Sequence, residues 1–142
     1  MSGPATGQNF TIYAGDTATI FIPITDENGN PVDLTGAQRA RWWLGKAAKS
    51  VGADVYLKKD SAATMLCDDG VVRNQVEILR FETDKWQLVI HINGADTETG
   101  GATLIPKPAA YYHEAEVVDA SGNIATVALG SGTIGPTIVR NL

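Results

Sequence analysis

The 142-residue sequence predicts an all-β fold of the antiparallel sandwich or barrel type, and we expect a sandwich of about seven to nine short strands in two sheets. Several segments alternate apolar and polar residues with a period of two. Turn residues interrupt these segments about every 8–12 positions. No segment shows the 3.6-residue periodicity of an amphipathic helix. We therefore interpret residues 9–142 as one domain and expect residues 1–8 to form an arm that is flexible until a partner orders it.

The first strands are predicted at residues 10–13 and 17–25. The second of these alternates strictly, with Ile20 and Ile22 on the face expected to be buried. Pro23 has no amide proton to donate to a sheet, so it indicates an edge strand or a bulge.

A third strand is predicted near residues 37–46 and a short one at 55–57. The residues expected to face the core are Trp42 and Leu44, and those expected to face solvent are Arg39, Arg41 and Trp43. The segment 61–69 is ambiguous, because its apolar residues would also allow one helical turn before Asp68-Asp69-Gly70 ends it.

In the second half, strands are predicted near 75–80, at 85–92, at 109–119 and in two pieces at 124–129 and 133–139. Residues 93–101 are predicted as a loop with room for one helical turn. The residues expected in the core are Trp86, Leu88, Ile90 and Tyr111.

One antiparallel register between residues 39–44 and 111–116 is predicted from charge and polarity. It places Arg41 opposite Glu114, Arg39 opposite Glu116 and Trp43 opposite Tyr112 on one face, with Trp42 opposite His113, Leu44 opposite Tyr111 and Ala40 opposite Ala115 on the other. The six residues of the first face are the candidate interface. Three interpretations of the two aromatic residues stay open: a protein contact, stacking on a sugar, or packing under a loop of the same chain.

Composition excludes several classes of partner. The net charge is −5, with 11 basic and 16 acidic residues, which argues against nucleic acid and anionic membranes as partners. The first eight residues carry no basic and apolar signal pattern, so no secretory signal is expected. The single cysteine, Cys67, permits no intrachain disulfide and no cysteine-rich zinc site, which suits a reducing cytoplasm.

No catalytic, metal-binding or cofactor-binding residue is predicted, and the chain is expected not to be an enzyme. His91 and His113 are the two candidate general bases, but the sequence has no Gly-x-Ser-x-Gly motif. The run 113–116 begins like a zinc-protease motif but lacks the second histidine, and residues 26–30 resemble only the start of a calcium loop. A small hydrolase is retained only as a minor hypothesis.

Two segments carry a resemblance to a known family. They are Pro31-Val32-Asp33-Leu34-Thr35-Gly36-Ala37 leading into Arg41-Trp42-Trp43-Leu44, and Ala110-Tyr111-Tyr112-His113-Glu114-Ala115-Glu116-Val117-Val118-Asp119-Ala120-Ser121-Gly122, followed by a closing hairpin at 126–134. Together they resemble small immunoglobulin-like proteins encoded among the structural genes of tailed bacteriophages and prophages. The family usually has Gly-Thr before its tyrosine, where this chain has Pro108-Ala109-Ala110.

The resemblance implies an immunoglobulin-like sandwich that is a non-enzymatic component of the virion, made in the bacterial cytoplasm. It implies other virion proteins as partners, in multiple symmetric copies, with the tail, baseplate or neck favoured over capsid decoration. No cofactor is implied. The alternative function is a carbohydrate-binding module that uses Trp43 and Tyr112.

Overall fold

The computed structural model describes residues 3–99 and 105–136. Strands make up most of this part of the chain, and its helical residues are confined to two 3₁₀ turns at Gly52–Asp54 and Gly94–Thr97. The strands are β1 (Phe10–Tyr13), β2 (Ala18–Pro23), β3 (Arg39–Gly45), β4 (Val55–Asp60), β5 (Thr64–Leu66), β6 (Val72–Asn74), β7 (Val76–Glu82), β8 (Lys85–Ile92), β9 (Ala109–Val118) and β10 (Ile124–Gly135).

The strands form two main sheets and one small hairpin. The five-stranded sheet has the order β1-β10-β9-β3-β4, and the three-stranded sheet has the order β2-β8-β7. Pairing in both sheets is antiparallel except between β1 and β10, which run parallel. Among the strands that the structure describes, β5 and β6 pair only with each other. The predicted all-β sandwich is confirmed.

The core lies between the inner faces of the two sheets, because every second residue of each strand points inward. Burial of one large aliphatic side chain contributes about 1.5–3 kcal/mol relative to exposure. Seven residues expected in the core are buried: Ile20, Ile22, Trp42, Leu44, Leu88, Ile90 and Tyr111. Trp86 differs, since it is only half-buried and packs at the margin of the core.

Two local assignments differ from expectation. The ambiguous segment 61–69 contains strand β5, so the helical turn that its apolar residues would allow does not form. The two closing strands are one continuous strand, β10, whose predicted break at 130–132 contains Gly130 and Gly132. The predicted strand at 133–139 lies partly outside the described residues.

Gly130 and Gly132 sit inside β10 because other backbone and ring atoms approach them closely. A Cβ atom on Gly130 would lie 2.6 Å from the carbonyl oxygen of Gln8, and one on Gly132 would lie 2.5 Å from Cζ of Phe10. Real Cβ atoms do not approach other atoms this closely. Glycine within a strand often marks such a close approach rather than a turn.

The N-terminal segment, which we define as residues 3–9, lies along β10 instead of extending from the domain. The Gln8 amide donates to the Leu129 carbonyl at 3.1 Å, and the Leu129 amide donates to the Ala5 carbonyl at 3.2 Å. Ala5 is buried. The structure thus differs from the free arm expected over residues 1–8, because β10 offers this segment backbone partners. Residues 1–2 lie outside the described residues.

The glycine inside β10 gives a test of this contact. We expect Gly130→Ala to displace the N-terminal segment, because the new methyl group would meet the backbone of Gln8. Hydrogen exchange should show faster exchange at the Gln8 amide, while Ser131→Ala, at an exposed neighbour, should leave it unchanged. Equal protection in both variants would contradict the close approach.

Candidate functional site

The candidate interface residues lie on the outer face of the five-stranded sheet, where β3 pairs with β9. The pairing is antiparallel, as predicted, but the predicted register is wrong by two residues. Arg41 is opposite Glu116 rather than Glu114, and Trp43 is opposite Glu114 rather than Tyr112. Arg39 is opposite Val118 rather than Glu116. A two-residue shift keeps every side chain on its predicted face, because side chains alternate with period two.

The inner face shows the same shift. Trp42 is opposite Ala115, Leu44 is opposite His113, and Ala40 is opposite Val117. The predicted pairs Trp42–His113, Leu44–Tyr111 and Ala40–Ala115 are therefore wrong as directly opposed pairs. Even so, Trp42 and His113 remain in contact as diagonal neighbours, which are within reach of large side chains.

The charges on the outer face are paired through three strands rather than two. Nε of Arg41 lies 2.8 Å from Oε1 of Glu116. Arg39 instead binds Asp60 on β4, with Nε 2.9 Å from Oδ1. This guanidinium lowers the pKa of the Asp60 carboxyl below its usual value. Glu114 accepts a hydrogen bond from the Thr126 hydroxyl at 3.0 Å. Exposed ion pairs contribute about 0–1 kcal/mol each, so these contacts orient side chains more than they stabilise the fold.

Trp43 and Tyr112 contact each other despite the changed register. Their ring centroids are 5.3 Å apart with the planes tilted by 49°. Both side chains are half-buried rather than fully exposed. Burial, and secondly the charge of Glu114, raises the pKa of Tyr112. Cζ3 of Trp43 lies 3.0 Å from the position that a Cβ on Gly45 would take, so the chain itself covers part of this ring.

A groove of about 490 Å³ lies beside Trp43. Its walls combine the Trp43 ring with the charged side chains of Arg41, Glu116, Asp60 and Lys58. The loop at residues 50–52 forms the opposite side. Tyr112 does not line this groove. An aromatic face beside paired cations and carboxylates can stack on a flat apolar surface and hydrogen-bond to hydroxyl groups around it.

His113 is fully buried in a chain of hydrogen bonds. Nε1 of Trp42 donates to Nδ1 of His113 at 3.1 Å, and Nε2 of His113 contacts the carbonyl oxygen of Gln8. An indole N–H can only donate and a carbonyl can only accept. The imidazole is therefore neutral with its proton on Nε2. Burial lowers the pKa of His113, and the Gln8 carbonyl partly opposes that shift.

The second histidine, His91, lies on the outer face of the other sheet. Its Nε2 is 2.7 Å from Oε2 of Glu77 on the neighbouring strand β7. His91 faces away from Trp86 and Ile90 along β8, and its side chain is 13% exposed. The structure does not bring the two histidines together, since one is in the core and the other is outside it.

Other sequence features have local structural roles. The Asp26 carboxylate accepts the backbone amides of Asn28 at 2.8 Å and Asn30 at 3.0 Å, which is the pattern of an Asx turn. Cys67 is buried. Arg73 lowers the pKa of Asp69 to about 2. Over residues 3–99 and 105–136, no group of three His, Cys, Asp or Glu residues is arranged to hold a metal ion.

An apolar surface on the three-stranded sheet was missed by sequence reasoning. Phe21 and Leu79, on its outer face, are 60% and 42% exposed and line the same groove. We call these two residues the phenylalanine face. Phe81 is 45% exposed, but it lies at a register shift in β7 and lines a different groove. The signal was available for Phe21, because strict alternation in β2 turns it away from the core. Exposed apolar residues that cluster on one face mark interaction surfaces.

Comparisons with known proteins found no matching family model and no matching curated protein. In the described part of the chain, no helix is long and apolar enough to cross a membrane.

The two adjacent tryptophans test which side chains of β3 point into the core and which point outward. Trp42→Ala should lower the free energy of unfolding by about 3–5 kcal/mol, because it opens a cavity in the core and leaves His113 without its donor. Trp43→Ala should cost only about 1–2 kcal/mol, since that side chain is half-buried at the surface. Urea titration of both variants would show the order. If the Trp42→Ala variant stayed folded while the Trp43→Ala variant unfolded, the assignment of the inner and outer faces of β3 would be wrong.

His113 gives a test of pH dependence. Its pKa is lowered in the folded state, so the unfolded state binds more protons as the pH falls below about 6.5. The free energy of unfolding should therefore be highest above pH 6.5 and fall as the pH drops from there towards the folded pKa. His113→Gln should flatten this slope between about pH 7 and pH 5, where most carboxyl groups remain ionised. His91→Gln is the matched control, and an unchanged slope in His113→Gln would contradict the assignment.

Proposed function

We propose that the chain is a non-enzymatic structural component of a tailed-phage particle that works through protein contacts in a symmetric assembly. The observation that best supports a role in protein contacts is the phenylalanine face. Its residue Phe21 is 60% exposed and does not pack in the core. The particle assignment rests on the resemblance of the sequence segments. The tail, baseplate or neck is favoured over the capsid surface.

The strand arrangement supports the immunoglobulin-like part of this proposal. One sheet joins β3, β9 and β10 and the other joins β2, β8 and β7, which corresponds to the division of strands in immunoglobulin sandwiches. The Tyr111 hydroxyl donates to the Lys107 carbonyl four residues upstream, as in a tyrosine corner. His113, two residues later, lies against Trp42 at the place of the second cysteine in antibody domains.

The two resembling segments also meet in space. The first ends in β3 and the second forms β9, and these strands pair over their whole common length. The residues quoted for the resemblance therefore belong to one structural unit, the centre of the five-stranded sheet. This supports a shared fold more strongly than it supports any position within a particle.

Antibody labelling tests the particle assignment. An antibody raised against the purified chain should label phage particles, from the strain that carries the gene, in negative-stain images, at the tail, baseplate or neck. Labelling over the capsid surface would favour decoration instead. Detection of the chain in the lysate without labelling of particles would contradict the proposal, with pre-immune antibody as the control.

A matched pair of variants tests the contact surface. Leu79→Ser, on the phenylalanine face, should reduce incorporation into particles while changing the free energy of unfolding by only about 0.5 kcal/mol, as for most exposed positions. Ile124→Ser is the control, because Ile124 is 62% exposed but lies on the other sheet. Equal incorporation of both variants would exclude the phenylalanine face as the contact surface.

Carbohydrate binding is the second candidate function, favoured by the groove beside Trp43. The groove offers one aromatic face together with Arg41, Asp60 and Glu116, which suits a sugar ring with its hydroxyl groups. Trp43 and not Tyr112 is the residue that would stack on a sugar. If this function holds, glycan-array binding should be lost in Trp43→Ala and retained in Phe81→Ala.

A further inference from the structure

Over the described residues, the edge of the three-stranded sheet along residues 17–23 is open, whereas the chain just beyond it pairs with the N-terminal segment through the Pro4–Asp26 bridge. The Ile24 amide donates to the Trp86 carbonyl at 2.9 Å, in the register that pairs β2 with β8. In an antiparallel pair the residues alternate between those bonded to the partner and those pointing away. The amide and carbonyl groups of Thr19 and Phe21 therefore point away from β8. No hydrogen bond from the described residues reaches these groups on that side.

This edge also lacks the usual protection against strand pairing. Natural edge strands are short, charged or interrupted by proline. The segment 17–25 contains no charged residue. The only feature in it that hinders strand pairing is Pro23, at the end of β2. The other edges differ: β4 carries Lys58 and Asp60, β7 carries Glu77 and two further charged residues, and β1 is only four residues long.

We infer that β2 is a strand-addition site whose occupant is β2 of a second copy of this chain, paired antiparallel about a two-fold axis. The three-stranded sheets of the two copies then join through β2 into one continuous six-stranded sheet. The inference does not depend on the particle assignment, because it concerns the chain by itself.

The sequence of β2 complements itself in this arrangement. With Thr19 opposite Phe21 of the second copy, each residue pair exchanges both N–H···O bonds across the axis. Thr17 then donates to the carbonyl of Pro23 in the second copy, so the missing proline N–H falls at the end of the ladder. The inner residues Ile20 of both copies meet at the axis. No like charges oppose each other, because the segment has none.

A second copy supplies a strand of the same length that is also free of charge. Two-fold dimers with self-complementary interfaces are the commonest soluble oligomers. The exposed Phe21 side chain supports this occupant, because beside the axis it would contact Thr19 and lie diagonal to Phe21 of the second copy.

Sedimentation of the full chain tests the inference. The wild-type chain should form a discrete dimer between about 1 and about 200 μM, a range in which specific but moderate affinities are detected. Phe21→Lys should weaken dimerisation at least about tenfold, because it places two like charges beside the axis. Leu79→Lys, on the same face but on β7, should dimerise like the wild type.

Three outcomes would overturn the inference. The first is a wild-type chain that stays monomeric over this range, which would leave the edge to a different partner. The second is equal weakening by Phe21→Lys and Leu79→Lys, which would indicate contact through the face rather than the edge. The third is rapid hydrogen exchange at the Thr19 amide in a wild-type dimer, since strand pairing protects that amide. Circular dichroism of each variant shows whether it remains folded.

Discussion

The hydrogen-bond chain from Trp42 through His113 to Gln8 is the interaction on which the rest of the structure depends. It joins β3, β9 and the N-terminal segment inside the core, using one indole, one imidazole and one backbone carbonyl. Because an indole can only donate, the buried imidazole must accept at one nitrogen and donate at the other. Each partner is satisfied only while the other two stay in place. Loss of any one leaves a buried polar group unsatisfied, at a cost of about 1–3 kcal/mol.

The contacts around this chain of hydrogen bonds follow from the same constraint. Gln8 reaches His113 only by crossing β10 closely, and the strand accommodates it with Gly130. Phe10 then packs edge-on against the imidazole, with ring centroids 4.9 Å apart. The N-terminal segment thus completes the core of the five-stranded sheet. Its first residues also pair with the chain just after β2, through the Pro4–Asp26 bridge, but no described residue pairs with the outer edge of β2 itself, which is why an association site is inferred there.

The sequence predicted the strands of the two main sheets, how they face and that β3 pairs with β9, because these follow from periodicity and charge. It missed the small hairpin of β5 and β6. It could not choose between registers two residues apart. Arg39, Arg41, Glu114 and Glu116 alternate with the same period, so either register forms an ion pair on the same face. The partner that Arg39 binds, Asp60, belongs to β4, whose place beside β3 is set by long-range sheet order. The N-terminal segment was missed because its small residues show no periodicity. Two glycines inside one strand were the available signal.

The protonation state of His113 tests the central claim most directly. Two-dimensional NMR of the ¹⁵N-labelled chain at neutral pH reports which imidazole nitrogen carries the proton. The hydrogen-bond chain predicts a neutral ring with the proton on Nε2 and with Nδ1 as an acceptor from Trp42. A proton on Nδ1, or a doubly protonated ring at neutral pH, would contradict it. In either case Trp42 would face a donor instead of an acceptor.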